Sequence, residues 1–251
     1  ALVVKSQTAQ VWQALHDEEK TVIIQVAPAV RVAVGEIFGL EPGQNTLGKL
    51  TAALRQMGFD KVFDTSFAAD LTVMEEGTEF LQRLQKGEKL PQFTSCCPAW
   101  VKYTEQYHPE ILENLSTCRS PQQMFGSLAK KYYAKELGIK PEDMVVVSLM
   151  PCTAKKFEAA RPEFATDSVP DVDFVVTTQE IVQMIREAGL DYAHLEDDSL
   201  DMPFGFTSGG GILFGVTGGV SEAVLRAAHY LLLGHELDQV NFTEVRGMEG
   251  L

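Results

Sequence analysis

The chain has 251 residues, 45% of them hydrophobic and 22% charged, which is enough to bury a full core and excludes disordered and collagen-like classes. Its formal charge of -14, from 35 acidic and 21 basic residues, repels phosphate backbones and anionic lipid and argues against a nucleic-acid or membrane-surface role. Four cysteines are too few for a disulfide scaffold, no apolar run is long enough to span a membrane, and the opening ALVVKSQTAQVW lacks a signal-peptide pattern, so reduced thiols in a cytoplasmic protein are expected.

In chain order, the runs TVIIQVAP, KVFDTS, MVVVSLMPC and DFVVTT are short, apolar and β-branched, and each leads into a polar turn and a helical pattern. Val145 to Leu149 shows no polar alternation, as expected of a strand covered on both faces in a mainly parallel sheet with helices outside, so the class is α/β. Helices are predicted over Thr46 to Met57, Asp70 to Gln85, Ser120 to Leu137, Thr178 to Ala188 and Ser221 to Leu233, the last two opened by Thr and Ser caps. The acidic stretch from His194 to Gly205 has the composition of a surface loop and is a candidate divider between two sub-lobes, with no firm boundary.

The chemistry-bearing residues fall after predicted strands, where open α/β sheets place their sites. Cys152 follows a buried strand, and Lys155 and Lys156 just beyond it favour a thiolate; a buried cysteine beside surface lysines is the plainer reading. Cys96 and Cys97 follow the short run PQF. Neighbouring side chains in extended backbone diverge, so one thiol can bind metal while the other carries protons, or one is a small core residue. Glu76 and Glu79 lie three apart on one helical face with Arg83 four beyond, which suits a carboxylate relay or a solvated face with an exposed ion pair. The glycine-rich run at Gly209 to Gly211 lacks the P-loop pattern and has no clean G-x-G-x-x-G spacing; its amides suit an anion, but it is expected rather to let backbone approach something bulky.

Taken together, TSCCPAW (94–100), MPCTAKKFE (150–158) and SGGGILFGVTGGV (208–220) strongly resemble the catalytic domain of iron-only (FeFe) hydrogenases. The likeness extends from VIIQVAPAVR through ALRQMGFDKVFD to EVRGMEG, nearly the whole chain. It implies two lobes with mainly parallel sheets and an active site in the cleft between them. It also implies an H-cluster, a 4Fe-4S cubane joined through a cysteine sulfur to a two-iron centre with carbon monoxide, cyanide and a bridging dithiolate, which interconverts hydrogen with protons and electrons. By position, Cys97 and Cys152 resemble two cubane ligands, and Cys96 the thiol that hands protons to the two-iron centre. Glu76, Glu79 and Ser116 match the family's proton path to the surface near Arg83. Lys155 resembles the residue that donates to an iron-bound cyanide, while Pro28, Gln122, Met150 and Phe214 match positions lining the two-iron pocket.

Two departures stand out. Ala29 occupies a position that is often serine in the family, so a donor to the second cyanide is absent. The family's third motif, with the remaining two cubane cysteines, falls beyond the equivalent of Leu251, and Cys118 matches no ligand position and reads as a structural thiol. The reading is therefore a hydrogenase H-cluster domain over residues 1–251 without the third cysteine motif, expected to be inactive alone and to need a further C-terminal segment for two more cysteines. Implied partners are hydrogen and protons as substrates, a redox partner such as ferredoxin, and maturation proteins. The alternatives are a hydrogenase-like iron-sulfur assembly protein, a sensory relative or, most plainly, a nucleotide-binding α/β module.

Overall fold

The computed structural model describes residues 4–216 and 218–237, so the segment EVRGMEG (244–250) lies outside the described residues. In chain order the first elements are α1 (Thr8–Leu15), β1 (Thr21–Val26), α2 (Val30–Ile37), α3 (Leu47–Gln56), β2 (Lys61–Asp64), α4 (Ser66–Lys86) and α5 (Pro98–Tyr107). They are followed by α6 (Pro121–Leu128), α7 (Ala134–Glu136), β3 (Met144–Met150), α8 (Ala154–Ala159), β4 (Ala165–Thr166) and β5 (Val169–Pro170). The last described elements are β6 (Phe174–Thr177), α9 (Thr178–Glu187), α10 (Gly209–Leu213) and α11 (Gly219–Leu233).

The four apolar runs form one parallel sheet in the order β2-β1-β3-β6. Every residue of β3 and all but the first of β1 are buried, because helices cover both faces and a strand so placed must be apolar throughout. Two polar residues are buried in these strands, Gln25 and Ser148. They are register partners, and Gln25 Nε2 donates to Ser148 Oγ at 2.8 Å and to the Gln122 carbonyl at 3.0 Å, while Thr65 donates to Gln25 Oε1 at 3.1 Å. These bonds offset the cost of burying the amide. The resemblance implies two lobes with a sheet in each; among the described residues the only other sheet is the antiparallel pair β4-β5, two residues a side.

Helix α3 lies within the predicted span and α9 follows the Thr177/Glu180 capping box, one residue ahead of the expected cap. Helix α4 begins at Ser66 instead of Asp70, because the Asp64 carboxylate at the end of β2 accepts from Ser66 N at 2.9 Å and opens the helix early. The span 120–137 is helical but interrupted by a π-helical turn at Ala129–Tyr133. The extra residue turns Lys130 inward to the Met144 carbonyl and, at 2.9 Å, to Asp173. Helix α11 starts at Gly219, ahead of Ser221, because Gly218 takes a left-handed φ of 75° that suits glycine, so Ser221 is not its cap. The acidic stretch is stapled to the edge of the sheet. Asp201 N donates to the Val62 carbonyl at 2.8 Å and its carboxylate accepts from Val62 N at 3.0 Å, which covers the free edge of β2.

Candidate active site

Strands β1, β2 and β3 all end on one side of the sheet, and the chain after each turns into the wall of a cavity of about 190 Å³. Ala27 and Pro28 follow β1, Thr65 and Ser66 follow β2, and Met150 ends β3, with Pro151 and Cys152 just beyond it. Cys96, Gln122, Lys155 and Phe214 complete the wall from four further segments. Seven residues chosen from the sequence, Pro28, Cys96, Gln122, Met150, Cys152, Lys155 and Phe214, thus meet in one place. Ala29 does not join them; it is exposed at the N-cap of α2 and offers only a methyl group.

The adjacent cysteines diverge. Cys96 is half-buried against the cavity, whereas Cys97 is exposed at the N-cap of α5, in extended backbone (φ -95°, ψ 107°). Burial pushes the Cys96 thiol up to about 11, against the opposing pull of the Lys155 ammonium, so the group is a protonated thiol at neutral pH. Lys155 Nζ donates to the Cys96 carbonyl at 2.8 Å and to both oxygens of Glu158, at 3.1 and 3.0 Å. Glu158 is itself buried and accepts from Ser120 Oγ at 2.8 Å and Gln122 Nε2 at 2.9 Å. Lys156, expected beside Cys152, instead pairs with Glu180 at 2.7 Å.

A second cluster lies along α4. Glu76 is 1% exposed, neither carboxyl oxygen has a hydrogen-bond partner, and burial pushes its pKa up to about 7. Glu79, one turn on, accepts from Ser116 Oγ and Arg83 Nη2, each at 2.6 Å, from Thr117 N at 3.0 Å and from Thr117 Oγ1 at 3.0 Å. Burial alone would raise its pKa, but Ser116, Thr117 and Arg83 outweigh it and hold the carboxyl below its ordinary value. Arg83 is not at the surface and the Glu79–Arg83 pair is not exposed. Its guanidinium, 8% exposed, also donates to the carbonyls of Lys89, Glu113, Asn114 and Leu115. Cys118 Sγ lies 3.6 Å from Glu79 Oε2, and its thiol is pushed up to about 12 by burial.

Several contributors escaped the sequence. Glu158, Ser120 and Gln25 are polar residues in the core, and only the loops that converge on them reveal their role. Gly211 is explained by the chain itself: a Cβ there would stand 2.4 Å from the Ser66 carbonyl oxygen, so the bulky neighbour is the first turn of α4. Asp70 clamps the start of α10, accepting from the backbone of Ser208 and Gly211, each at 2.7 Å, and thereby sets Phe214 against the cavity.

The cavity fits the expected two-iron centre in its chemistry: largely apolar walls, a thiol, an ammonium, and a buried Gln122 Oε1 with no partner in the protein. For the cubane, among the described residues no group of three or more His, Cys, Asp or Glu is close enough to hold a metal ion.

The model of the iron only hydrogenase large subunit, C-terminal domain, matches residues 20–251. The chain is 53% identical to the NADP-reducing hydrogenase subunit HndD of Solidesulfovibrio fructosivorans, covering 100% of this chain and 44% of the relative. It is 36% identical to the cytosolic Fe-S cluster assembly factor narfl of Xenopus tropicalis, over 92% of this chain and 51% of that protein. The solved structure of an apo [FeFe]-hydrogenase HydA1 variant from Chlamydomonas reinhardtii superimposes with a TM-score of 0.87 at 46% identity, covering 98% of this chain and 63% of that one. The chain therefore spans about half the length of the curated relatives it matches, and it belongs to the iron-only hydrogenase large-subunit family, C-terminal domain.

Proposed function

We propose that this domain forms one wall of an H-cluster site for the interconversion of hydrogen with protons and electrons, and carries that site's proton line. The observation that carries the reading is the convergence of Cys96, Cys152, Lys155, Gln122, Met150 and Phe214 on a single cavity at the ends of the strands. Cys97 and Cys152 would hold the 4Fe-4S cubane together with cysteines supplied by a segment outside this sequence. When bound, the cluster supplies the electron chemistry and the site at which hydrogen is made or split.

The protein's own part is positioning and proton handling. Apolar Pro28, Met150 and Phe214 line the cavity with carbon and offer water few partners there. Lys155, anchored by Glu158, presents a fixed positive charge for anionic ligands. Cys96 holds a proton at Sγ, and its high pKa keeps that proton in place until a stronger base takes it. Glu76, balanced near neutrality, exchanges protons with Cys96, while Ser116 beside it donates to the ionised Glu79. A ferredoxin-like redox protein serves as electron partner.

The test is a set of variants in the full-length, cluster-loaded large subunit. Cys96→Ser is expected to keep its iron content and lose about 100-fold or more in hydrogen evolution, since an alcohol is a far weaker acid. Cys97→Ser is expected to lose iron, because a hydroxyl is a poor cluster ligand. Iron loss in Cys96→Ser with retention in Cys97→Ser would reverse the two roles. A loaded wild-type protein that passes iron and sulfide to an apo acceptor without turning over hydrogen would favour the assembly-factor reading instead.

A further inference from the structure

Arg83 is the residue expected to bring the proton line to the surface, yet it is 7% exposed and its two terminal nitrogens are committed to Glu79 and four backbone carbonyls. A guanidinium stays protonated and has no lone pair to accept with, so it fixes Glu79 without relaying anything. Ser116, on the other oxygen of Glu79, is 6% exposed and so meets far less solvent. Thr117 is different. It is exposed, its hydroxyl donates to Glu79 Oε1 at 3.0 Å, and its backbone N–H holds the same carboxylate at 3.0 Å from Oε2. A hydroxyl that donates once keeps two lone pairs, and Thr117 lines a recess of about 230 Å³ together with Ser116 and Cys118.

We propose that Thr117 is the solvent-side member of the proton line, its hydroxyl rather than Arg83 passing protons between water and the Glu79 carboxylate. The inference rests on reading Glu79 and Ser116 as part of that line. In the inward step Thr117 Oγ1 accepts a proton from water as its own O–H proton moves to Glu79 Oε1; the hydroxyl is regenerated and no charge remains on it. The reverse step returns a proton outward. Among the described residues, the charged and titratable groups facing Glu79 are Glu76 and Arg83 on its own helix and Cys118 on the facing loop. None of these reaches water as Thr117 does, since Cys118 is half-buried and its thiol is pushed up to about 12.

Thr117→Val and Thr117→Ser in the full-length protein test this with two readouts. Valine matches threonine in shape, which keeps water from taking the hydroxyl's place, but it removes the donor; serine keeps it. In the cluster-loaded enzyme Thr117→Val is expected to lower hydrogen evolution about tenfold with iron content and cluster spectra unchanged, and Thr117→Ser to restore most of the rate. In cofactor-free protein with 13C-labelled glutamate carboxyls, Thr117→Val is expected to move the Glu79 midpoint up by about one pH unit, and Thr117→Ser to leave it near wild type. The Glu79 signal is assigned by its loss in Glu79→Gln. A Thr117→Val protein with wild-type rate and midpoint, or a Thr117→Ser protein as impaired as the valine variant, would overturn the proposal. Because the carboxyl readout needs no hydrogen chemistry, a loaded wild-type enzyme without turnover overturns the functional reading separately.

Discussion

Glu76 and Glu79 sit one helical turn apart and meet opposite surroundings, the first with no partner and a pKa near 7, the second wrapped in donors and held ionised. Carboxyls pushed apart in this way take different roles, one titrating and one fixed. The raised value has a consequence for stability. A carboxyl whose folded pKa of about 7 exceeds its ordinary 4.5 stabilises the fold in its protonated form, fully below 4.5, and that contribution is lost as pH rises through 7. The difference corresponds to about 3 kcal/mol. Glu76→Gln, which cannot ionise, is therefore expected to gain stability relative to wild type between pH 5 and pH 8 by up to about 3 kcal/mol; urea unfolding at the two pH values measures it, and equal gaps at both would refute it. The i, i+3 and i+7 spacing of Glu76, Glu79 and Arg83 was legible in the sequence, but their burial was not. It comes from the turn at Ser116 to Cys118, nearly forty residues away in the chain, closing over the helix.

Among the elements, the strands were the most legible because continuous β-branched runs have few alternatives to a doubly covered sheet, as β1 and β3 show. Helix starts were less so, because side chains outside the helix decide them: Asp64 opens α4, and Asp70 clamps α10. The glycine run illustrates the limit most directly. Three glycines in a row point to close approach without saying to what, and of the three only Gly211 presses on backbone, at Ser66. Gly211→Ala is expected to destabilise the protein by about 2–3 kcal/mol, since a rigid backbone oxygen cannot yield to the new methyl group. Gly209→Ala, with nothing within 4 Å of the added carbon, is expected to stay within about 0.5 kcal/mol of wild type. Unfolding midpoints for the pair check both, and similar losses in the two would show that α10 is not seated as described.

At the scale of the whole molecule, the parallel sheet brings the ends of β1, β2 and β3 to one side, and the cavity follows from that arrangement more than from any single motif. The cysteine motifs were legible as short strings. Their meeting with Gln122 and Phe214 was not, since it depends on strand order and on how α10 is tied back to α4. The net charge of -14 acts over the same scale. Self-repulsion of that size predicts that the melting temperature rises when the ionic strength goes from about 0.01 to about 0.15 M, as the screening length falls from about 30 to about 8 Å; differential scanning calorimetry reads it, and a fall would show that attractive surface pairs dominate instead. Helix α4 links these scales. On one rod of 21 residues, about 30 Å long, it carries Ser66 and Ala69 at the cavity, Asp70 at the clamp, and Glu76, Glu79 and Arg83 in the second cluster, where we propose the proton line. Pocket shape and the proposed proton delivery thus share a chassis. Anyone transplanting proton delivery between relatives would have to move the rod together with the 116–118 turn and the 208–214 segment that grip it, because a side chain exchanged alone arrives without its setting.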